Sequence, residues 1–172
     1  TRLETQDAHG KDVTVFLASA YAPTGTAPAN ERAKYFEDLQ RCTDSCKPHE
    51  VLVVCSDTNA SCGIRSKHDD PQVPGRDQVR GPFGAPYQNN AGRELVQHLA
   101  LNELCLPTTH FKKHTYCTWT NPVSKLGHQI DHFIMKQSDL KRVRRAGHFG
   151  LLGQLSDHDP VRLKLAIGRQ LK

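Results

Sequence analysis

Residues 51–59 read VLVVCSDTN, and this stretch decides the expected fold. The continuous apolar run over residues 51–55 has the length of a strand, and such a run predicts a strand that is covered on both faces. Because a strand covered on both faces needs a packed layer on each side, we expect an α/β or α+β sandwich. The run ends abruptly at Asp57 and Asn59, which places polar groups at the carboxyl end of the strand.

Upstream of this run, the sequence predicts one more strand and one helix. Residues 13–20 are rich in β-branched and aromatic residues and lead into Tyr21 and a turn-rich segment, so they predict a strand. Asn30 is expected to cap the following helix, which should end near residues 47–48.

Downstream, residues 61–90 are polar and broken by glycine and proline, which predicts a long surface loop. Asn89 or Asn90 is expected to cap a second helix. Short strands are predicted at residues 115–119, 129–135 and 161–167.

Length and composition point to one globular domain, residues 1–172. The chain has 23 Lys and Arg against 18 Asp and Glu, and the net charge of +5 is compatible with a polyanionic partner without requiring one. We find neither a membrane span nor a secretory signal, and we expect an intracellular protein. The six cysteines predict reduced thiols. The spacing of Cys42, Cys46 and His49 could supply three zinc ligands, but no matching fourth ligand follows, so buried thiols are favoured.

Polar groups recur where predicted strands end. Besides Asp57 with Asn59, these are Tyr21, Asp131 and the Asp157-His158 dipeptide. Carboxylates at strand ends suit a divalent cation such as Mg²⁺, and histidine exchanges protons near neutral pH. Together they are the components of a metal-assisted phosphoester hydrolase.

All of these residues except Asp131, which lies between Ile130 and Phe133 in an apolar strand and needs a polar partner, also have a purely structural explanation. Asp57 and Asn59 could be turn formers, Tyr21 a core aromatic residue, and the Asp157-His158 dipeptide a surface turn. The basic runs at residues 112–114 and 141–145 could bind phosphates, although a solvated charged strand is the commoner meaning.

Five segments, in order, resemble motifs of the endonuclease/exonuclease/phosphatase superfamily, the fold of deoxyribonuclease I and the apurinic endonucleases. The chain is particularly similar to endonuclease domains of non-LTR retrotransposons and to proteins of the craniofacial development protein 2 type. The resemblance implies a four-layer αββα sandwich. The matching segments are residues 19–24 (SAYAPT), 56–60 (SDTNA), 118–122 (TWTNP), 128–132 (HQIDH) and 156–161 (SDHDPV).

The resemblance also implies a role for each matching residue. Asp57 and Asn59 would lie at the scissile phosphate, with Asp57 orienting the attacking water. His158, paired with Asp131, would accept a proton or stabilise the phosphorane charge; the general base, Asp57 or His158, is left open. Tyr21 would hydrogen-bond the phosphate.

The implied cofactor is Mg²⁺, with Mn²⁺ as a substitute, and Asp157 would lie beside the metal. In the family, an Asn and a metal-binding Glu lie well upstream of the tyrosine, whereas only twenty residues precede Tyr21 and Glu4 is too close to it for that role. We therefore expect an N-terminally truncated domain that lacks its first strands, and we interpret Glu4 as a solvated residue of an edge strand. Cys55-Ser56 also departs from the family, which prefers a glycine at the position of Ser56.

Three functions remain open at this stage. The first is a metal-dependent DNA endonuclease of the retrotransposon type. The second is a catalytically inactive endonuclease-like subunit that binds protein partners in a larger assembly. The third, a lipid or inositol phosphatase, is disfavoured because the Trp-Gly-Asp-x-Asn and Trp-Cys-Asp-Arg patterns of that group are missing around Asp57 and Asp131.

Overall fold

The computed structural model describes residues 1–7, 9–65, 76–112, 115–148 and 156–167. These residues form nine strands, three α-helices and two 3₁₀ turns. The strands are β1 (Arg2–Gln6), β2 (Asp12–Tyr21), β3 (Val51–Asp57), β4 (Leu104–Cys105), β5 (Trp119–Thr120), β6 (Gly127–His128), β7 (Asp131–Lys136), β8 (Val143–His148) and β9 (Val161–Leu165). The helices are α1 (Ala29–Asp44), α2 (Arg76–Val79) and α3 (Asn90–Leu101), and the 3₁₀ turns are Pro107–Thr109 and Gln137–Arg142.

The main sheet has the strand order β1-β2-β3-β7-β4. β2 and β3 are parallel, and the other neighbours are antiparallel. Residues 51–54 of the central strand are all buried, which confirms the strand predicted there. β3 continues to Asp57 because Ser56 and Asp57 still pair with β7. At the edge of the sheet, β1 is exposed along its whole length, so the interpretation of Glu4 as a solvated edge residue is confirmed.

Two hydrophobic clusters cover the two faces of the main sheet. Leu52 and Val54 face one cluster, to which α1 and α3 contribute Leu39 and Leu99. The alternate residues of β3 face the second cluster, which the β8–β9 hairpin completes. The described residues therefore form three layers, with helices on one face of the main sheet and a strand hairpin on the other. The predicted mixed α/β class is confirmed, but within the described residues no α-helix forms the fourth layer of the αββα sandwich.

The two long helices begin differently. The prediction for α3 is confirmed, because Asn89 is its N-cap and the Asn89 side chain accepts a hydrogen bond from the Gly92 amide at 2.8 Å. The prediction for α1 is wrong, because its N-cap is Pro28 and Asn30 lies inside the helix. The Pro28 carbonyl accepts the first helical hydrogen bonds, and the fixed φ of proline is compatible with the entry into a helix. α1 ends at Asp44, a few residues before the predicted end.

The segment predicted as a surface loop is only partly at the surface. Residues 66–75 lie outside the described residues, but α2 falls within the segment, and Val79 and Arg80 at its end are 0% and 2% exposed. Ala85 is also buried, and its amide donates to the Gln129 side chain at 3.1 Å. Such tertiary contacts cannot be deduced from glycine and proline content.

The later strands are shorter than predicted. Strand 115–119 reduces to β5, strand 129–135 begins only at Asp131, and strand 161–167 ends at Leu165. The basic run over residues 141–145 enters β8, where Arg144 and Arg145 are exposed, as expected for a solvated charged strand. Of the other basic run, residues 113–114 lie outside the described residues.

All six cysteines are free, and three of them (Cys46, Cys62 and Cys105) are buried. Burial raises the pKa of the Cys62 and Cys105 thiols to about 12, which keeps both protonated. None of the helices in the described ranges is long and apolar enough to cross a membrane.

Candidate active site

Three polar side chains form a row across neighbouring strands at one end of the main sheet. In the strand register, Tyr21 is opposite Asp57, and Asp57 is opposite Asp131. Because directly opposed residues share a face of the sheet, all three lie on the face that the β8–β9 hairpin covers. Three segments that are distant in sequence thus meet at this point.

His158 joins this row through Asp131. Its Nδ1 lies 3.0 Å from Asp131 Oδ2 and 3.2 Å from Oδ1. The side chains are 31% and 16% exposed, so the pair is largely shielded from water. An Nδ1–H that donates to the carboxylate leaves Nε2 as the nitrogen that can exchange a proton with a substrate.

The pKa of the Asp131 carboxyl is set by opposing effects of its surroundings. Burial raises the pKa of its carboxyl, the Thr118 hydroxyl and His158 lower it, and the nearby charge of Asp57 raises it. The net effect is a pKa above the usual value. Two carboxylates this close repel each other, so a cation or a proton between them stabilises the site.

Asn59 ties the ends of β2 and β3 together. Its backbone lies in the left-handed region, with φ of 45°, a conformation that asparagine tolerates better than most residues. Its amide N–H donates to Asp57 Oδ1 at 3.0 Å, and its side-chain Nδ2 donates to the Ala22 carbonyl at 2.8 Å. Asn59 therefore fixes the orientation of Asp57 beside Tyr21.

The serine at the glycine-preferred position fits without strain. Ser56 lies in β3 and is not among the residues with positive φ in the described part of the chain. Neighbouring Thr58 is buried and donates its hydroxyl to the Ile130 carbonyl at 2.7 Å, which holds the β3 end against the start of β7.

Tyr21 and Asp157 lie at the margin of the site. Tyr21 is 72% exposed, so it is not a core aromatic residue. Asp157 is exposed, and its Oδ2 accepts a hydrogen bond from Trp119 Nε1 at 3.0 Å, which holds the pKa of the carboxyl below its usual value. Its role as a metal ligand stays a prediction.

Asp57, Asp131 and His158 form a group that could hold a metal ion, because one ligand atom from each lies within 4.8 Å of the others. Asp157 is not a member of this group. Among the residues described, this is the one such group of three or more, so Cys42, Cys46 and His49 do not form a metal site. The two carboxylates offer the oxygen ligands that Mg²⁺ prefers, whereas an imidazole nitrogen is more typical of transition-metal sites.

Sequence reasoning gave no role to Thr118 or Trp119, although both belong to a quoted motif. Thr118 is 1% exposed, and its hydroxyl accepts hydrogen bonds from the backbone of Ile130 and Asp131. Trp119 forms an isolated β-bridge with His158. The only available signal was the position of these residues inside a motif.

Comparison with solved structures identifies the fold. The chain superimposes on the 3′-5′ exonuclease NExo from Neisseria meningitidis with a TM-score of 0.60 and 18% identity, over 95% of this chain and 64% of that one. The endonuclease domain of TRAS1, a telomere-specific non-LTR retrotransposon, gives 0.60 and 15%, over 100% and 64%. The Xenopus laevis APE2 catalytic domain gives 0.58 and 15%, over 96% and 54%. The chain thus has the deoxyribonuclease I-like fold that these solved nuclease domains share.

Sequence comparison finds two relatives among known proteins. The chain is 32% identical over 130 residues to Craniofacial development protein 2 of Bos taurus and of Tragulus javanicus. The match covers 74% of this chain but only 20% and 21% of those proteins, so the chain spans about a fifth of the curated relatives it matches. No protein-family model matches the chain.

Proposed function

We propose that this domain is a divalent-metal-assisted phosphodiester hydrolase that nicks DNA, an endonuclease of the retrotransposon type. The observation that carries the proposal is the row of Tyr21, Asp57 and Asp131 across three strands, with His158 paired to Asp131. Hydrolysis of a phosphodiester needs a proton acceptor, an oriented water and stabilisation of the charge that develops on phosphorus. The row and its histidine supply these groups within one small region.

Each residue has a role in this proposal. Asp57, held by the Asn59 amide, orients the attacking water. His158 accepts a proton through Nε2 or stabilises the pentacovalent charge, and Asp131 keeps its ring in that tautomer. The exposed hydroxyl of Tyr21 donates to a phosphate oxygen.

The metal proposed is Mg²⁺, with Mn²⁺ as a substitute. The carboxylates of Asp57 and Asp131 would hold it, and Asp157 would lie nearby, which leaves His158 Nε2 available for proton transfer. When bound, the cation supplies charge neutralisation for the phosphate oxygens. The burial of the Asp131 carboxyl and, to a smaller extent, the charge of nearby Asp57 raise its pKa, and a cation there would stabilise the ionised form.

DNA is the proposed substrate because one structural neighbour is described as a 3′ phosphatase bound to a product DNA hairpin, and another as a retrotransposon endonuclease domain. The net charge of +5 favours such a polyanion. We also propose an intracellular location, which a nucleic-acid substrate and six free thiols suit.

The proposal is tested by nicking of supercoiled plasmid with Mg²⁺. The unmodified chain should convert supercoiled DNA to the nicked form, and His158→Ala and Asp57→Ala should abolish conversion. His49→Ala is the matched control, because His49 is exposed and belongs to no part of the site. Nicking that survives in His158→Ala would refute the assigned roles.

Plasmid left intact by the unmodified, folded chain would refute the catalytic proposal. It would favour the alternative, an endonuclease-like fold kept as a protein-binding subunit. That alternative predicts copurification with a larger assembly at fixed stoichiometry, and a monodisperse monomer would count against it.

A further inference from the structure

We propose that Thr118 is the positioning residue that holds the Asp131–His158 pair together, an inference that rests on the function proposed above. Asp131 and His158 belong to segments 27 residues apart in sequence. Thr118 contacts both segments through different atoms. It is buried at 1% exposure, so water cannot replace its hydrogen bonds.

The hydroxyl of Thr118 fixes the Asp131 side of the pair. Its Oγ1 accepts the backbone N–H of Ile130 at 3.0 Å and of Asp131 at 3.1 Å. The hydroxyl proton interacts with the Asp131 carboxylate, whose pKa it lowers, and Oγ1 also lies 3.4 Å from the His128 carbonyl oxygen. One oxygen therefore sets where β7 begins, and with it the position of the Asp131 carboxylate.

The backbone of Thr118 fixes the His158 side. Its carbonyl accepts the N–H of Asp159 at 2.8 Å, directly after the histidine, while its own N–H donates to the His128 carbonyl at 2.7 Å. The adjacent Trp119 forms the β-bridge with His158. Thr118 thus holds the loop that carries His158 as well as the backbone of Asp131.

The consequence concerns the His158 imidazole. With Asp131 in place, Nδ1 donates to the carboxylate and Nε2 is available to the substrate. If the anchor is lost, the carboxylate and the ring move independently, and the neutral ring is no longer confined to one tautomer. Thr118 contacts no proposed substrate atom, so it acts through the pair.

The test compares Thr118→Val with Thr118→Ser. Valine keeps the shape but removes the hydroxyl, whereas serine keeps the hydroxyl. The readout is the His158 tautomer from long-range ¹H–¹⁵N NMR correlations at one alkaline pH without metal, with the signal assigned by its loss in His158→Gln. We expect the Nδ1–H tautomer in the unmodified chain and in Thr118→Ser, and a mixture in Thr118→Val.

Thr109→Val is the matched control. Thr109 is also 1% exposed, and its hydroxyl accepts from the Gly81 amide and donates to the Leu106 carbonyl, away from the pair. This variant should leave the His158 tautomer unchanged. If Thr109→Val changes it as much as Thr118→Val does, or if Thr118→Val keeps the Nδ1–H tautomer, the positioning role is overturned.

If Thr118→Val does not fold, a second pair of variants tests the hydrogen bond from the Asp159 N–H to the Thr118 carbonyl. Asp159→Pro removes the N–H that binds the Thr118 carbonyl, and Asp159→Ala keeps it. We expect mixed tautomers only in the proline variant. A single Nδ1–H tautomer in folded Asp159→Pro would overturn the proposal.

A kinetic readout separates this inference from the proposed function. In a chain that nicks DNA, Thr118→Val should lower kcat about 10–100-fold with little change in KM, and serine should restore it. A raised KM with unchanged kcat would contradict positioning of the pair. If no chain nicks DNA but the tautomer still follows the hydroxyl, the positioning role stands and the nuclease proposal fails.

Discussion

Replacement of Asp131 by Asn is expected to stabilise the fold while it removes activity. The substitution keeps the size of the side chain and removes a charge that lies beside Asp57 in a site where only 16% of the Asp131 side chain is exposed. Burial is the main reason that the pKa of this carboxyl is raised, so the charged form is disfavoured in the folded chain.

The magnitude follows from the geometry. At the 4.8 Å bound on the ligand-atom separations, two unit charges repel by about 1–3.5 kcal/mol as the effective dielectric falls from about 80 to about 20, and burial of the Asp131 carboxyl raises its pKa more than this repulsion does. Against this relief, the hydrogen bond from His158 Nδ1 weakens from a charge-assisted to a neutral one, a loss of roughly 1 kcal/mol. After allowance for screening by water, we expect Asp131→Asn to raise the free energy of unfolding by about 1–2 kcal/mol.

Urea denaturation without metal measures this difference, with exposed Asp12→Asn as the control. Because the folded pKa is raised, ionised Asp131 costs stability above that pKa, and the cost disappears as the pH falls toward the ordinary value of 3.8. The difference in free energy of unfolding between the variant and the unmodified chain should therefore be largest near neutral pH and should disappear in acid. In the nicking assay, the same variant should be slower by about 10²–10⁴-fold.

An Asp131→Asn chain that is less stable than the unmodified protein at neutral pH would refute this reasoning, because it would show that the carboxylate is well compensated in the fold. A stability gap that widens in acid would contradict the sign of the pKa shift.

Two further predictions concern parts of the fold that support the site. Asn89→Ala removes the α3 cap and should lower the free energy of unfolding by about 0.5–2 kcal/mol in thermal denaturation, whereas Asn89→Ser should recover most of the loss; equal effects of both would refute the cap. The hydrogen bond from Arg2 holds the pKa of buried Glu50 below its usual value, so Glu50 contributes stability that is lost as the pH falls through the folded pKa. Glu50→Gln should flatten that acid limb of the stability curve, and an unchanged acid limb would contradict the assignment.

Sequence patterns predicted those helices and strands that depend only on residues close together in the chain. The apolar run before Asp57 predicted β3, and Asn89 predicted the start of α3, because each signal depends on neighbouring residues. The start of α1 was predicted wrongly at Asn30 because asparagine is a common N-cap. The N-cap is Pro28, whose fixed φ suits the residue before a helix.

Other features depend on contacts between distant segments. The two-residue strands β4 and β6 have no periodicity to detect and exist only through their partners. The row of Tyr21, Asp57 and Asp131 was anticipated as a set of strand ends. Tyr21 and Asp57 do end their strands, but Asp131 begins β7 and joins the row because β7 runs antiparallel to β3. The function of Thr118 was invisible for the same reason, since its partners lie 10 to 13 residues away and beyond.

Asp57, Asp131 and His158 are proposed to form a site that hydrolyses phosphodiesters. The most direct test is the initial rate of plasmid nicking with Mg²⁺ by the unmodified chain, set against folded His158→Ala and His49→Ala. We predict nicking by the unmodified chain and the His49 variant and none by the His158 variant. An intact plasmid in all three reactions, or equal nicking in all three, would contradict the claim.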